Sequence, residues 1–110
     1  MKEKDLLWRG SSYKDLLSFP DEPRRDAGYQ LGFVQLGFEP SDWKPMSSIG
    51  QGVKEIRIHV AGEFRVIYIA KYEEGIYILH AFQKKTQKTP KRDVDIAKTR
   101  FRELERERKI

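Results

Sequence analysis

Residues 84–92 read Lys-Lys-Thr-Gln-Lys-Thr-Pro-Lys-Arg, five cations in nine residues with no acid among them. Two further arginines, Arg57 and Arg65, stand in stretches of strand-like composition upstream. The chemistry open to such a set is recognition or cleavage of a phosphodiester. RNA supplies its own nucleophile, the 2′-hydroxyl. A protein then has to orient that group, stabilise the charge that develops on phosphorus and protonate the leaving oxygen. Arginine and lysine do the second task by electrostatic preorganisation. A lysine does the third when its pKa falls, and crowding by other cations pushes it that way. The same residues also fit a solvated charged face, since a net charge of +5 is ordinary for a domain of 110 residues.

The positive charge is local. Residues 84–110 hold 11 Lys/Arg against 5 Asp/Glu, a net of +6, whereas residues 1–83 hold 11 against 12, a net of −1. A cationic corner on a near-neutral body points to a polyanion, of which RNA and DNA are the commonest. The rest of the sequence carries little other chemistry. The chain has no cysteine, hence no disulfide, no thiol nucleophile and no cysteine zinc site. His59 and His80 are read as standing alone, without a His or carboxylate at ligand spacing, and His80 as a hydrogen-bonded core residue. Gly50-Gln51-Gly52 lacks the Lys-Ser/Thr of a phosphate loop, and no serine has a nucleophile-elbow context. No carboxylate pair suggests an acid–base dyad. The start of the chain shows no signal peptide, no run is long enough for a membrane helix, and the expected location is the cytoplasm.

The elements that must position these residues follow from periodicity. Asp5–Arg9 reads as an edge strand. Ser11 or Ser12 caps a short helix that ends near Phe19-Pro20, and Asp21 caps a second with Pro23 in its first turn. Ala27, Leu31, Val34 and Phe38 give that second helix one apolar face. Gly28, Gly32 and Gly37 weaken it and are read as allowing close packing. Glu39–Gly52 is a loop rich in breakers. Val53–Val60, Phe64–Tyr72 and Ile76–Gln83 form an antiparallel meander. Thr89 caps the last helix with Pro90 at its first position, and Val94, Ala97, Phe101 and Leu104 form its apolar stripe. The fold class is α+β, a single domain over 1–110. It has a small twisted antiparallel sheet, two N-terminal helices and a C-terminal helix, in the order β-α-α-β-β-β-α.

The register of the first hairpin decides whether the two arginines meet. A two-residue loop at Ala61-Gly62 pairs Ile58 with Arg65 and puts the apolar sets on opposite faces. One further loop residue pairs Ile58 with Val66 and joins those sets, with Gly62 at positive φ. Burial favours the latter, which gathers Arg57, His59 and Arg65 on the other face.

Three segments resemble the phage-derived HigB-like branch of the RelE/ParE toxin superfamily. They are Gly52-Val-Lys-Glu-Ile-Arg57, Phe64-Arg-Val-Ile-Tyr68 and Ile78-Leu-His-Ala-Phe-Gln-Lys-Lys-Thr-Gln-Lys-Thr-Pro90. Trp8–Leu17 and Glu39–Pro45 are similar to it as well. The resemblance implies the toxin of a type II toxin–antitoxin system, a metal-independent endoribonuclease that cleaves mRNA on the ribosome and needs no cofactor. Its implied partner is a cognate antitoxin, often a helix-turn-helix protein. Position by position, Arg57 and Arg65 match the strand arginines of the branch, and Lys84, Lys85 and Lys88 match its basic motif. Arg57, Arg65, Lys84 and Lys85 are thus the candidate catalytic residues, with Lys88, Lys91 and Arg92 as RNA-binding ones. The His or Tyr that some members use near the C-terminus has no counterpart in the final Glu-Arg-Lys-Ile. Two other functions remain open at this point: a non-catalytic RNA-binding module, and a ParE-like gyrase inhibitor.

Overall fold

The computed structural model describes residues 3–109. Met1, Lys2 and Ile110, at the two ends of the expected domain span, lie outside the described residues. The order is β1 (Leu6–Trp8), α1 (Ser12–Leu17), α2 (Asp21–Gln35), β2 (Trp43–Pro45), β3 (Val53–Ile58), β4 (Phe64–Ile69), β5 (Ile76–Gln83) and α3 (Lys91–Arg108). The α+β class and the placing of the helices match expectation. The strands form one sheet in the order β1-β5-β4-β3-β2. It is mixed rather than wholly antiparallel, because β1 runs parallel to β5 while the other pairs are antiparallel. The segment read as a loop from Glu39 to Gly52 contains the short edge strand β2. Three residues are too few to show a period, and Pro45 at the edge disguises them further.

Each face of the sheet has its own core. Ile56, Ile58, Phe64, Val66, Tyr68, Ile76 and Ile78 pack with residues of α1 and α2 on one side. Val53, Ile67, Ile69, Leu79 and Phe82 pack with Ala97, Phe101 and Leu104 of α3 on the other. α3 therefore holds down the face that carries Arg57 and Arg65. Its approach is close at Gly50, where a Cβ would stand 2.2 Å from the Phe101 ring.

Three helix boundaries differ from expectation, the first being the start of α2, where Pro20 rather than Asp21 is the N-cap and Asp21 is the first helical residue. α2 buries Ala27, Leu31 and Val34. Phe38 lies beyond its end and is exposed. Gly37, at φ 91°, stops the helix, with Phe38 N–H donating to the Phe33 carbonyl (2.9 Å) and Gly37 N–H to that of Val34 (3.0 Å). This is a Schellman closure, which the apolar spacing alone cannot reveal. Gly28 and Gly32 face open space rather than a packed neighbour. α3 begins one residue later than expected, with Pro90 as its N-cap. Thr89 does not cap it; its hydroxyl donates to the Glu55 carboxylate at 3.1 Å.

The hairpin keeps the expected parity but not the expected pair. Ile58 faces Phe64, Ile56 faces Val66, and Arg57 lies directly opposite Arg65. The connection is residues 59–63 rather than three residues, with Ala61 at φ 54° and Gly62 at φ 125°. The cause is at the base of the loop. His59 and Glu63 bind each other through their side chains at 2.8 Å, which holds both outside the ladder and leaves Val60 in the turn.

Candidate functional site

β3 and β4 place Arg57 and Arg65 side by side, and the ladder sets Arg65 opposite Phe82 of β5. Lys84 N–H donates to the Glu63 carbonyl at 2.7 Å, so the β4–β5 pairing persists into the basic run. The result is a cleft of about 600 Å³ lined by Arg57, Glu63, Arg65, Lys84, Lys85, Thr86 and Gln87. All four candidate catalytic residues meet there.

Their environments differ. Arg65 is buried (2% exposed) and forms the floor. Its Nη1 donates to the Phe64 carbonyl (2.9 Å) and its Nη2 to Glu63 Oε1 (3.0 Å). Its Nε stands 3.7 Å from Oε1 of Glu55, a carboxylate with no exposure at all. Neither of these two atoms has a hydrogen-bond partner. Arg57 is half-buried, and its backbone N–H donates to the Asp42 carbonyl at 2.9 Å. The Lys84 ammonium is held below the usual lysine range, first by burial and then by Arg65, Lys44 and Arg57, with Glu55 opposing. The crowding expected from the basic run comes instead from cations outside it, on β2, β3 and β4, and burial is the largest single cause. Such a group gives up its proton more readily than a free lysine.

The remaining cations disperse. Lys88, Lys91 and Arg92 are exposed and do not line the cleft. Lys91 is joined to Asp95 at 2.9 Å. Arg92 lines a second groove, between α1, β5 and α3. The turn that carries the run is shaped by the Thr86 hydroxyl donating to the Lys88 carbonyl (2.6 Å) and by the Thr89–Glu55 bond.

Neither histidine is alone. His59 contacts Asp42 through Nε2 (2.6 Å) and Glu63 through Nδ1 (2.8 Å), and its pKa is raised by those two hydrogen bonds, Asp42 first. The two carboxylates sit on opposite ring nitrogens, so their oxygens diverge. Among the described residues no group of three or more His, Cys, Asp or Glu side chains is placed to hold a metal ion. His80 is the buried, hydrogen-bonded histidine expected. Its Nε2 meets Asp93 at 2.7 Å, and its pKa is lowered by burial, which outweighs that carboxylate.

Sequence reasoning missed Glu63 and Glu55. Glu63 lies four residues after His59 across a glycine turn, a spacing that could have suggested the pair. Glu55 alternates with Val53 and Arg57 on the face that α3 covers, a position that marks it for burial. Among the described residues no helix is long and apolar enough to cross a membrane.

No curated protein matches. The family model described as Phage derived protein Gp49-like (DUF891) matches residues 14–102, a span that holds every residue of the cleft. With most of its length inside that match, the chain belongs to the phage-derived Gp49-like family.

Proposed function

We propose that this protein is the toxin of a type II toxin–antitoxin system, of the HigB-like branch, and a metal-independent endoribonuclease that cuts ribosome-bound mRNA in the cytoplasm. The phage-derived family supports a toxin-like module. The single observation that carries the catalytic reading is the convergence of Arg57, Arg65, Lys84 and Lys85 in one cleft, with the Lys84 pKa lowered.

In this reading Arg57 and Lys85 bind the non-bridging oxygens of the scissile phosphate. Arg65 adds positive charge from the floor while it holds Glu63. Such preorganised charge favours the phosphorane over the ground state. The 2′-oxygen attacks phosphorus and its proton passes to water in the open cleft. The bond from phosphorus to the 5′-oxygen breaks, and Lys84 gives that oxygen its proton. The products are a 2′,3′-cyclic phosphate and a 5′-hydroxyl. Lys88 and Arg92 guide the flanking backbone, and Lys91 does so once it leaves Asp95. A cognate antitoxin, expected from a neighbouring gene with a helix-turn-helix pattern, covers the cationic corner.

The test is cleavage of mRNA on programmed ribosomes by the wild type, Arg57→Ala and Lys84→Ala. The reading expects cutting by the wild type, with a loss of about 10²–10³-fold in each variant. RNA bound but never cut would make the chain a binding module. DNA damage on expression, with mRNA intact, would make it a gyrase inhibitor.

A further inference from the structure

Glu63, which forms one wall of the cleft, is held by a chain of side-chain and backbone hydrogen bonds that runs through His59 and Asp42, neither of which lines the cleft itself. Arg57 N–H donates to the backbone of Asp42 (2.9 Å). The Asp42 carboxylate meets His59 Nε2 at 2.6 Å. His59 Nδ1 meets both oxygens of Glu63, at 2.8 and 2.9 Å. Glu63 then accepts from Arg65 Nη2 (3.0 Å) through its side chain and from Lys84 N–H (2.7 Å) through its backbone. A carboxylate can only accept, so an imidazole with a carboxylate on each nitrogen needs a proton on both. The groups facing the ring are Asp42, ahead of β2, and Glu63, at the end of its own loop, and Glu63 in turn pairs with Arg65.

We propose that His59, as an imidazolium, is a positioning residue that clamps this wall, and that RNA binding in the cleft weakens when it loses its proton. The neutral ring keeps one N–H, so one carboxylate is left facing a lone pair. The clamp between Asp42 and Glu63 then opens. Glu63 keeps Arg65 as its one cationic partner and competes with a phosphate for the charge of the cleft. The raised pKa of His59 places this loss above the pH at which free histidine titrates. The inference rests on the cleft being the RNA site, and its test separates the two ideas.

The full-length chain is titrated from pH 6 to 9 by NMR of the histidine rings and of the Arg65 and Lys84 N–H groups. In parallel it binds a 2′-O-methyl RNA oligonucleotide, which cannot be cut. His59 should titrate above about 6.5, the free value. The Arg65 and Lys84 signals should shift with it in the wild type and not in His59→Gln. The RNA Kd should rise about tenfold through that titration, the scale of one charge-assisted hydrogen bond. His59→Gln should show the weak affinity at every pH from 6 to 9. A wild-type step that survives in His59→Gln, or Arg65 and Lys84 signals indifferent to His59, would overturn the clamp. If RNA is bound but not cut, the enzyme reading fails and the clamp stands or falls on its own titration. If no RNA binds, the binding half of the proposal is refuted and the NMR arm decides whether the clamp exists.

Discussion

Arg65→Ala tests the electrostatics of the cleft floor. Arg65 and Glu55 are 2% and 0% exposed, and the guanidinium Nε stands 3.7 Å from the carboxylate. Removing the arginine leaves Glu55 with the Thr89 hydroxyl at 3.1 Å and a half-exposed Lys44 ammonium at 3.9 Å. Breaking a buried ion pair from one side costs about 3–5 kcal/mol, because the other charge stays buried. Lys44 remains near the same oxygen, which argues for the lower end of that range. The lost bond to the Phe64 carbonyl adds about 1 kcal/mol. A total near 4 kcal/mol is a large part of the roughly 5–15 kcal/mol that holds a domain folded. With a urea m-value of about 2 kcal/mol/M, the unfolding midpoint should drop by about 2 M. The control is Glu55→Gln with Arg65→Met, which removes both charges and keeps an acceptor for Thr89. It should recover most of the loss, since exchanging both partners of a buried pair is often close to neutral. An Arg65→Ala midpoint within about 0.3 M of wild type would refute the reasoning. So would a double variant no more stable than the single one. Lost activity in Arg65→Ala therefore reports on folding as much as on chemistry, whereas Arg57, half-buried, gives a cleaner probe.

Lys84→Arg keeps the charge and removes the transferable proton; single-turnover cleavage should fall about 10²–10⁴-fold with RNA affinity nearly unchanged, and full activity would show that Lys84 acts by charge alone. Gly50→Ala drives a methyl into the Phe101 ring, which lies 2.2 Å from where the Cβ would stand; overpacking of about 1–3 kcal/mol should lower Tm by about 5–15 °C, read by calorimetry, and an unchanged Tm would mean that the ring yields freely. The histidines pull pH dependence in opposite directions. His80, with its pKa lowered, makes stability fall as pH drops below about 6.5, whereas the raised His59 contributes stability that is complete below that value and is lost as pH rises through its own pKa. His59→Gln should thus lose more stability than wild type between pH 7.5 and 5.5 in urea titrations, and parallel curves would contradict that sign.

The sequence was most legible where burial imposes a period. The apolar sets of β3 and β4 required a register that joins them, and that requirement alone put Arg57 and Arg65 on one face. It did not fix the pair, because Ile58–Val66 and Ile58–Phe64 have the same parity. The choice between them rests on the His59–Glu63 pair at the base of the turn, whose four-residue spacing is not a strand period, and on Asp42, 17 residues before His59. Thr89 shows the same limit. A threonine before Pro-Lys-Arg reads locally as a cap, yet the buried Glu55, 34 residues away, claims its hydroxyl. Cations were visible as a run, but their division was not: only the turn after β5 decides that Lys84 and Lys85 enter the cleft while Lys91 joins Asp95.

Like charges directly opposite one another in an antiparallel pair are destabilising, by about 0.2–1 kcal/mol. Arg57 and Arg65 are so placed. The fold offsets that repulsion asymmetrically. Arg65 receives Glu63 and the nearby Glu55, whereas Arg57 is tied through its backbone to Asp42. Lys84, brought in by the extended ladder, adds a third cation and is itself held below its ordinary pKa. Places where a local rule is broken and compensated at a distance are where function is expected. Here the broken rule concentrates positive charge on two ladder positions and the residue that continues the ladder, the rigid half of the cleft. Lys85, Thr86 and Gln87 belong to a turn, the adaptable half. Rigid elements suit the groups that must meet a transition state, and a turn suits those that must accommodate a strand of varying sequence. In the proposed reading Arg57, Arg65 and Lys84 are the rigid part of the site, and Lys85, on the turn, is the catalytic candidate able to follow the strand it meets.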